Sequence, residues 1–148
     1  MQYQVELTKK TYEKLIEGLV KVEEEKENLL NDFFPDEIKE RNEVVQIIEE
    51  YVSRVSQLAK NIKITETADN NLPFVLIGSE VDLQDLDYDE TIKLRIVLPM
   101  QNKDGDDASC LSPIGISLLL KKVGEEVAVQ TPGGVLRYRV NSVSLPFF

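Results

Sequence analysis

The chain has 148 residues, 42% apolar and 30% charged, with a net charge of −10 and no histidine. That length suits one ordinary domain or two very small units, and the balance supports one modest core. So acidic a chain argues against phosphate-backbone attraction as the main source of binding. The missing histidine removes Ser-His-Asp hydrolases and most zinc sites.

The start, Met1-Gln2-Tyr3-Gln4-Val5-Glu6, lacks the basic and apolar regions of a leader peptide, and no apolar run is long enough to cross a bilayer. A soluble, cytoplasmic chain with no membrane partner is expected. From Thr8 to about Ile62 the pattern is helical. Tyr12, Leu15, Leu19, Val22, Lys26, Leu29 and Phe33 alternate steps of three and four, as do Ile38, Arg41, Val45, Ile48, Val52, Val55, Ala59 and Ile62. Thr8 offers an N-cap, and Pro35 forces a reversal within Asp32-Phe33-Phe34-Pro35-Asp36. The spacing predicts an antiparallel coiled-coil hairpin roughly 35–40 Å long at 1.5 Å per residue, anchored at its base. Lys26 and Arg41 interrupt the seam near the turn, and Glu23-Glu24-Glu25-Lys26-Glu27 reads as a solvated face.

Asp69-Asn70-Asn71-Leu72-Pro73 is a turn-rich linker, which divides the chain into a hairpin of residues 1–68 and a globular unit of residues 69–148. Phe74 to Leu83 reads as a strand pair or a strand bent at Gly78, and Thr91 to Leu98 alternates as a half-buried strand should. Lys103-Asp104-Gly105-Asp106-Asp107 is a loop. Cys110 has no partner for a disulfide and no histidine to activate it, which fits a reducing compartment. Ser112 caps a helix over Pro113–Lys122, with Pro113 at its first position and Gly124 past its end. Glu126–Gln130 and Val135–Val140 form a hairpin about Pro132-Gly133-Gly134. The class is α+β: a helical hairpin, then a small antiparallel sheet crossed by one helix.

Four runs in this half are specific when taken together: Ser112-Pro113-Ile114-Gly115, Leu118-Leu119, Lys121-Lys122-Val123-Gly124-Glu125-Glu126-Val127, and Gln130-Thr131-Pro132-Gly133-Gly134-Val135 followed by Tyr138. Their order resembles the C-terminal part of the Gre-type (GreA/GreB-like) bacterial transcription elongation factors. There a serine-proline opens a helix, a Gly-Lys-Lys-Val-Gly-Asp type turn follows, and a Pro-Gly-Gly hairpin closes the sheet. Leu120 departs from that pattern, standing where a small residue is usual before the lysines. The resemblance implies an FKBP-like fold for roughly residues 73–148, docking on the rim of the RNA polymerase secondary channel. Ser112, Pro113 and Ile114 are then the polymerase-docking residues; the alternative is that they only cap and orient the helix. The partner implied is bacterial RNA polymerase, bound by a monomer, with DNA or RNA met only inside the transcription complex.

In cleavage-stimulating members of this family the tip of the hairpin reads Asp-Leu-Ser-Glu-Asn. Its carboxylates hold a shared Mg²⁺ beside the polymerase's own metal, so the free factor is not an enzyme and carries no cofactor. The matching stretch here is Glu37-Ile38-Lys39-Glu40-Arg41. Glu37 and Glu40 are the candidate shared ligands, with Asp32 and Asp36 completing an acidic tip. Glu37 is longer than aspartate, Arg41 replaces asparagine, and the aromatic residue after the tip is missing. The hairpin is also shorter by about a heptad per helix, or ~10 Å of reach. Three roles stay open: helix capping by Asp36 with dipole-favoured Glu37 and Glu40, an acidic plug that does not cleave, and metal-assisted cleavage. Short-hairpin relatives of the Rnk type bind polymerase without evident cleavage, and this tip leans toward them. From other classes, a peptidyl-prolyl isomerase would need an aromatic-lined proline pocket, and a holdase would use the hairpin as a clamp.

Overall fold

A computed structural model describes residues 5–36, 38–103 and 105–145, so Glu37 of the tip and Asp104 of the expected loop lie outside the described residues. Strand β1 (Val5–Leu7) leads into helix α1 (Lys9–Phe33). Thr8 is the N-cap, as its place before the helical pattern predicts: its hydroxyl oxygen accepts the Thr11 N–H at 3.3 Å. Ahead of Pro35, the Phe34 N–H closes the last turn on the Leu30 carbonyl at 3.0 Å. Helix α2 (Ile38–Lys60) returns alongside α1, whose 25 residues give ~37 Å of length. Strand β2 (Ile62–Ile64) then pairs parallel with β1, Val5 opposite Ile62 and Leu7 opposite Ile64. Three residues at each end of the hairpin are too few to show a period, and this clamp was not anticipated.

The sheet comprises β3 (Glu80–Asp85), β4 (Glu90–Val97), β5 (Asp107–Ser109), β6 (Glu126–Thr131) and β7 (Gly134–Ser144), in the order β5-β4-β3-β7-β6. All pairings are antiparallel except the short β4–β5 ladder. One face is buried through period-2 alternation. Val81 lies opposite Val143 and Leu83 opposite Val140, all inward, whereas Glu80, Asp82 and Gln84 are less buried. Helix α3 (Pro113–Leu118) lies against β5 and β6.

Several boundaries differ from the sequence expectation. Phe74 to Gly78 is not a strand: Phe74 makes only an isolated bridge to Lys122, and Gly78 sits at φ 93° in a turn that closes on Ser79. Helix α3 ends at Leu118 rather than Lys122, because Leu119 is already extended and Leu120 turns left-handed at φ 67°. The expected loop ends early in β5, and β7 runs on to Ser144 through an irregularity opposite Asp82 and Leu83.

The larger correction concerns the helical seam. The buried residues are Thr11, Leu15, Val22, Leu29 and Leu30 in α1, and Val44, Ile48, Tyr51 and Val55 in α2. Phe33 and Ile38, expected in the seam, are 51% and 76% exposed. The cause is a third packing partner. Val22, Leu29, Ile48 and Tyr51 meet Leu98, Cys110 and Leu111 of the globular half around a small cavity, so one apolar core runs from hairpin to sheet. Tyr51 anchors this junction, its hydroxyl accepting the Ile77 N–H at 2.9 Å, and the Arg54 guanidinium stacks 5.0 Å over the Phe74 ring. The linker is pinned as well. Asn70 accepts the Thr8 N–H at 3.0 Å, and the Leu72 N–H reaches the Val143 carbonyl at 2.8 Å.

Candidate functional site

At α3, Ser112 sits in extended backbone, and its hydroxyl works twice. It accepts the Gly115 N–H at 3.1 Å and donates to the Ser109 carbonyl at 2.6 Å. That cap draws α3 so close to the end of β5 that a Cβ on Gly115 would lie 1.9 Å from the Ser109 oxygen. The Ser-Pro-Ile-Gly run is therefore one device: a cap, a proline whose missing N–H costs nothing at the first helical position, and a glycine for close approach. Pro113 is exposed, whereas Ile114 is half-buried and packs on the core. The exposed apolar side chain of this helix is instead Ile116, at 39%. The helical spacing could have shown this, since Ile114 and Leu118 share the inward face four residues apart.

At the other end, Asp32, Asp36 and Glu40 are exposed. Among the described residues no three carboxylates, cysteines or histidines converge on a metal-sized site. Such a tip fits a Mg²⁺ only if another molecule supplies further oxygen ligands. Arg41, at a sequence-predicted seam position, instead staples the turn. Its guanidinium donates to the Phe34 carbonyl at 3.4 Å and to Asn31 Oδ1 at 3.2 Å. Lys26 pairs with Glu49 of the facing helix at 3.5 Å, so both polar interruptions of the apolar pattern act between helices. Lower on the outer face, hydrogen bonds from Asn28 and Lys21 hold the Glu25 carboxyl below its ordinary range.

Cys110 is buried where hairpin meets sheet, and burial pushes its thiol up to about 11, the reverse of what a nucleophile needs. Burial likewise raises the Tyr51 hydroxyl, which remains a neutral anchor.

With this geometry in view, likeness to known proteins is informative. Residues 70–145 match the model of the C-terminal domain of the transcription elongation factors GreA/GreB, and those residues include the capped Ser112 and the β6–β7 turn. Transcription elongation factor GreA of Thermotoga neapolitana is 35% identical over 157 aligned positions, covering 95% of this chain and 97% of that protein. The chain belongs to the GreA/GreB family. GreA of Caldanaerobacter subterraneus is 37% identical, over 63% of this chain and 60% of its own length. A solved GreA/GreB structure from Nitrosomonas europaea shares the fold, with a TM-score of 0.53 at 20% identity over 95% of this chain and 98% of its own. Within the GreA/GreB architecture, Ser112, Pro113 and Ile114 open the short helix of the C-terminal sheet domain, and Asp32, Asp36 and Glu40 occupy the far end of the hairpin. The two groups are not brought together.

Proposed function

We propose that this GreA/GreB member is an RNA polymerase-binding regulator of transcription elongation. It docks through the Ser112–Ile114 corner and carries its acidic hairpin tip into the secondary channel. The observation that carries this reading is the capped corner itself. Ser112 is consumed in holding α3, which leaves Pro113 and Ile116 on the surface of a rigid element. Capping and docking are then two results of one geometry. The working units are a hairpin of residues 1–68 and a docking domain of residues 69–148. The protein acts in the cytoplasm as a monomer, is not itself an enzyme, needs no cofactor when free, and meets nucleic acid only within the transcription complex. No helix among the described residues is long and apolar enough to cross a membrane.

A non-cleaving role is favoured over metal-assisted cleavage by the limited free reach of the hairpin. Leu29, Leu30 and Val44 are still buried in the shared core. Only about one turn of α1 and less than two turns of α2 extend beyond them. The exposed Glu40, with Glu37 three positions before it in sequence, is the observation that keeps cleavage as the second reading. For prolyl isomerisation, the concave face of the sheet is already filled by Leu83, Ile96, Leu118 and Val129, each 0% exposed. The test is binding of the purified chain to bacterial core RNA polymerase. Saturable binding that Pro113→Glu weakens supports the docking reading; no binding, or capture of many unfolded chains instead, removes it.

A further inference from the structure

A cleft of about 340 Å³ opens where α1 faces the turn at Ile77 and Gly78, and its floor is the buried Tyr51, Val55, Leu76 and Leu98. Its size and its place between two structural units are those of small-molecule sites generally. Gly18, in the middle of α1, lines it. A glycine inside a helix is destabilising relative to alanine, and close packing does not require this one: a Cβ placed on Gly18 meets nothing within 4 Å. The missing side chain keeps the cleft open. Tyr51 adds a buried donor. Its hydroxyl accepts the Ile77 N–H at 2.9 Å, while among the described residues its own proton meets no acceptor. A phenol both donates and accepts, and a buried donor left without an acceptor is rare in a folded chain. Lys14 and Lys21 stand one turn either side of Gly18 on the same face of α1, against the single lining carboxylate of Glu17, on a chain of net charge −10. Lys21 also meets Glu25 at 3.2 Å, an exposed pair of the kind that contributes little in water.

We propose that this cleft is a binding site for a small apolar carboxylate. One carboxylate oxygen accepts the Tyr51 O–H, the lysines at the mouth balance the charge, and the carbon body covers Leu76 and Leu98 in the space beside Gly18. A neutral apolar molecule would leave the cations unused, and a polyanion would set uncompensated charge on an apolar floor. Gly18 belongs to α1, Tyr51 to α2, and Leu76 and Leu98 to the globular half, so a bound ligand touches all three and stabilises their junction. The inference goes beyond polymerase docking and does not depend on it, because the cleft shares no lining residue with the Ser112–Ile114 corner.

The test titrates the full chain with hydrocinnamate, and with hydrocinnamyl alcohol as its neutral counterpart. Amide NMR shifts at Gly18, Ile77 and Gly78 and thermal unfolding are the two readouts. The acid should bind saturably, shift those amides, and raise the melting temperature as its concentration rises. Gly18→Leu restores a good helix former and fills the space, so it should raise the melting temperature of the free chain and weaken binding by ~10-fold or more. Tyr51→Phe should weaken binding by ~10-fold. Lys14→Gln/Lys21→Gln, on the exposed side of α1, should bring the acid down to the affinity of the alcohol, and keeps the test available if either buried variant fails to fold. No saturable binding of hydrocinnamate overturns the proposal. So does wild-type affinity in both Gly18→Leu and Tyr51→Phe, which places the probe elsewhere. Tighter binding of the alcohol than of the acid by the wild-type chain overturns the anionic ligand class and the proposal with it. None of these outcomes bears on docking, which Pro113→Glu tests separately.

Discussion

The hairpin and the sheet are both amphipathic, yet they differ in how their apolar faces are determined. In the sheet, a residue's face follows from period-2 alternation alone: Val81 and Leu83 must point one way if Asp82 points the other. In the hairpin, a stripe of apolar residues can face its sister helix, the sheet domain or both, and the sequence pattern tolerates a rotation of one residue. Tyr51 and Ile48 are buried because the sheet domain packs against α2, while Phe33 and Ile38 lie beyond its cover. A helix pair that docks on a third surface hides a wider stripe than a coiled-coil seam does.

The largest effect that separates the two regions is expected at Gly115. A methyl group there meets the Ser109 backbone oxygen at 1.9 Å, and no flexible side chain can yield. Gly115→Ala should cost about 4 kcal/mol or prevent folding, as measured by denaturant unfolding. Next, Leu29→Ala should cost ~3 kcal/mol, since it empties the shared core, whereas Phe33→Ala should stay within ~0.5 kcal/mol. Equal costs at the two positions would restore the simple seam. Tyr51→Phe should cost about 2 kcal/mol by leaving the Ile77 N–H without its acceptor, and should raise amide exchange at Ile77. The smallest effect is alkaline. The Cys110 thiol moves from an ordinary 9.0 to about 11 in the folded state, so its contribution is complete below pH 9 and is lost as pH rises toward 11. In Cys110→Ala that part of the alkaline loss of stability should be absent.

The sequence made strands β4, β6 and β7, the Thr8 and Ser112 caps and the β6–β7 turn legible, because each rests on local chemistry: alternation, a side-chain oxygen, a glycine. Features set by distant contacts were not legible. The β1–β2 clamp joins residues 57 positions apart (Val5 with Ile62), and the early end of α3 depends on Leu120 and Lys121 leaving the helix to pair with Val75. At the candidate site, the residue types were legible and their exposure was not. Ile114 turns inward and Ile116 outward, because Gly115 sets how closely the helix lies on β5. Arg41 read as an interruption of the seam, and it is a staple across the turn.

The most direct measurement is transcript cleavage on a backtracked elongation complex, with wild-type protein and Glu37→Ala/Glu40→Ala compared at saturation. A docked factor whose hairpin is short should stimulate no cleavage and should compete with a cleavage-competent factor for the same complex. Cleavage that the wild type stimulates and the double variant does not would contradict this account, and would place Glu37 and Glu40 at the polymerase metal.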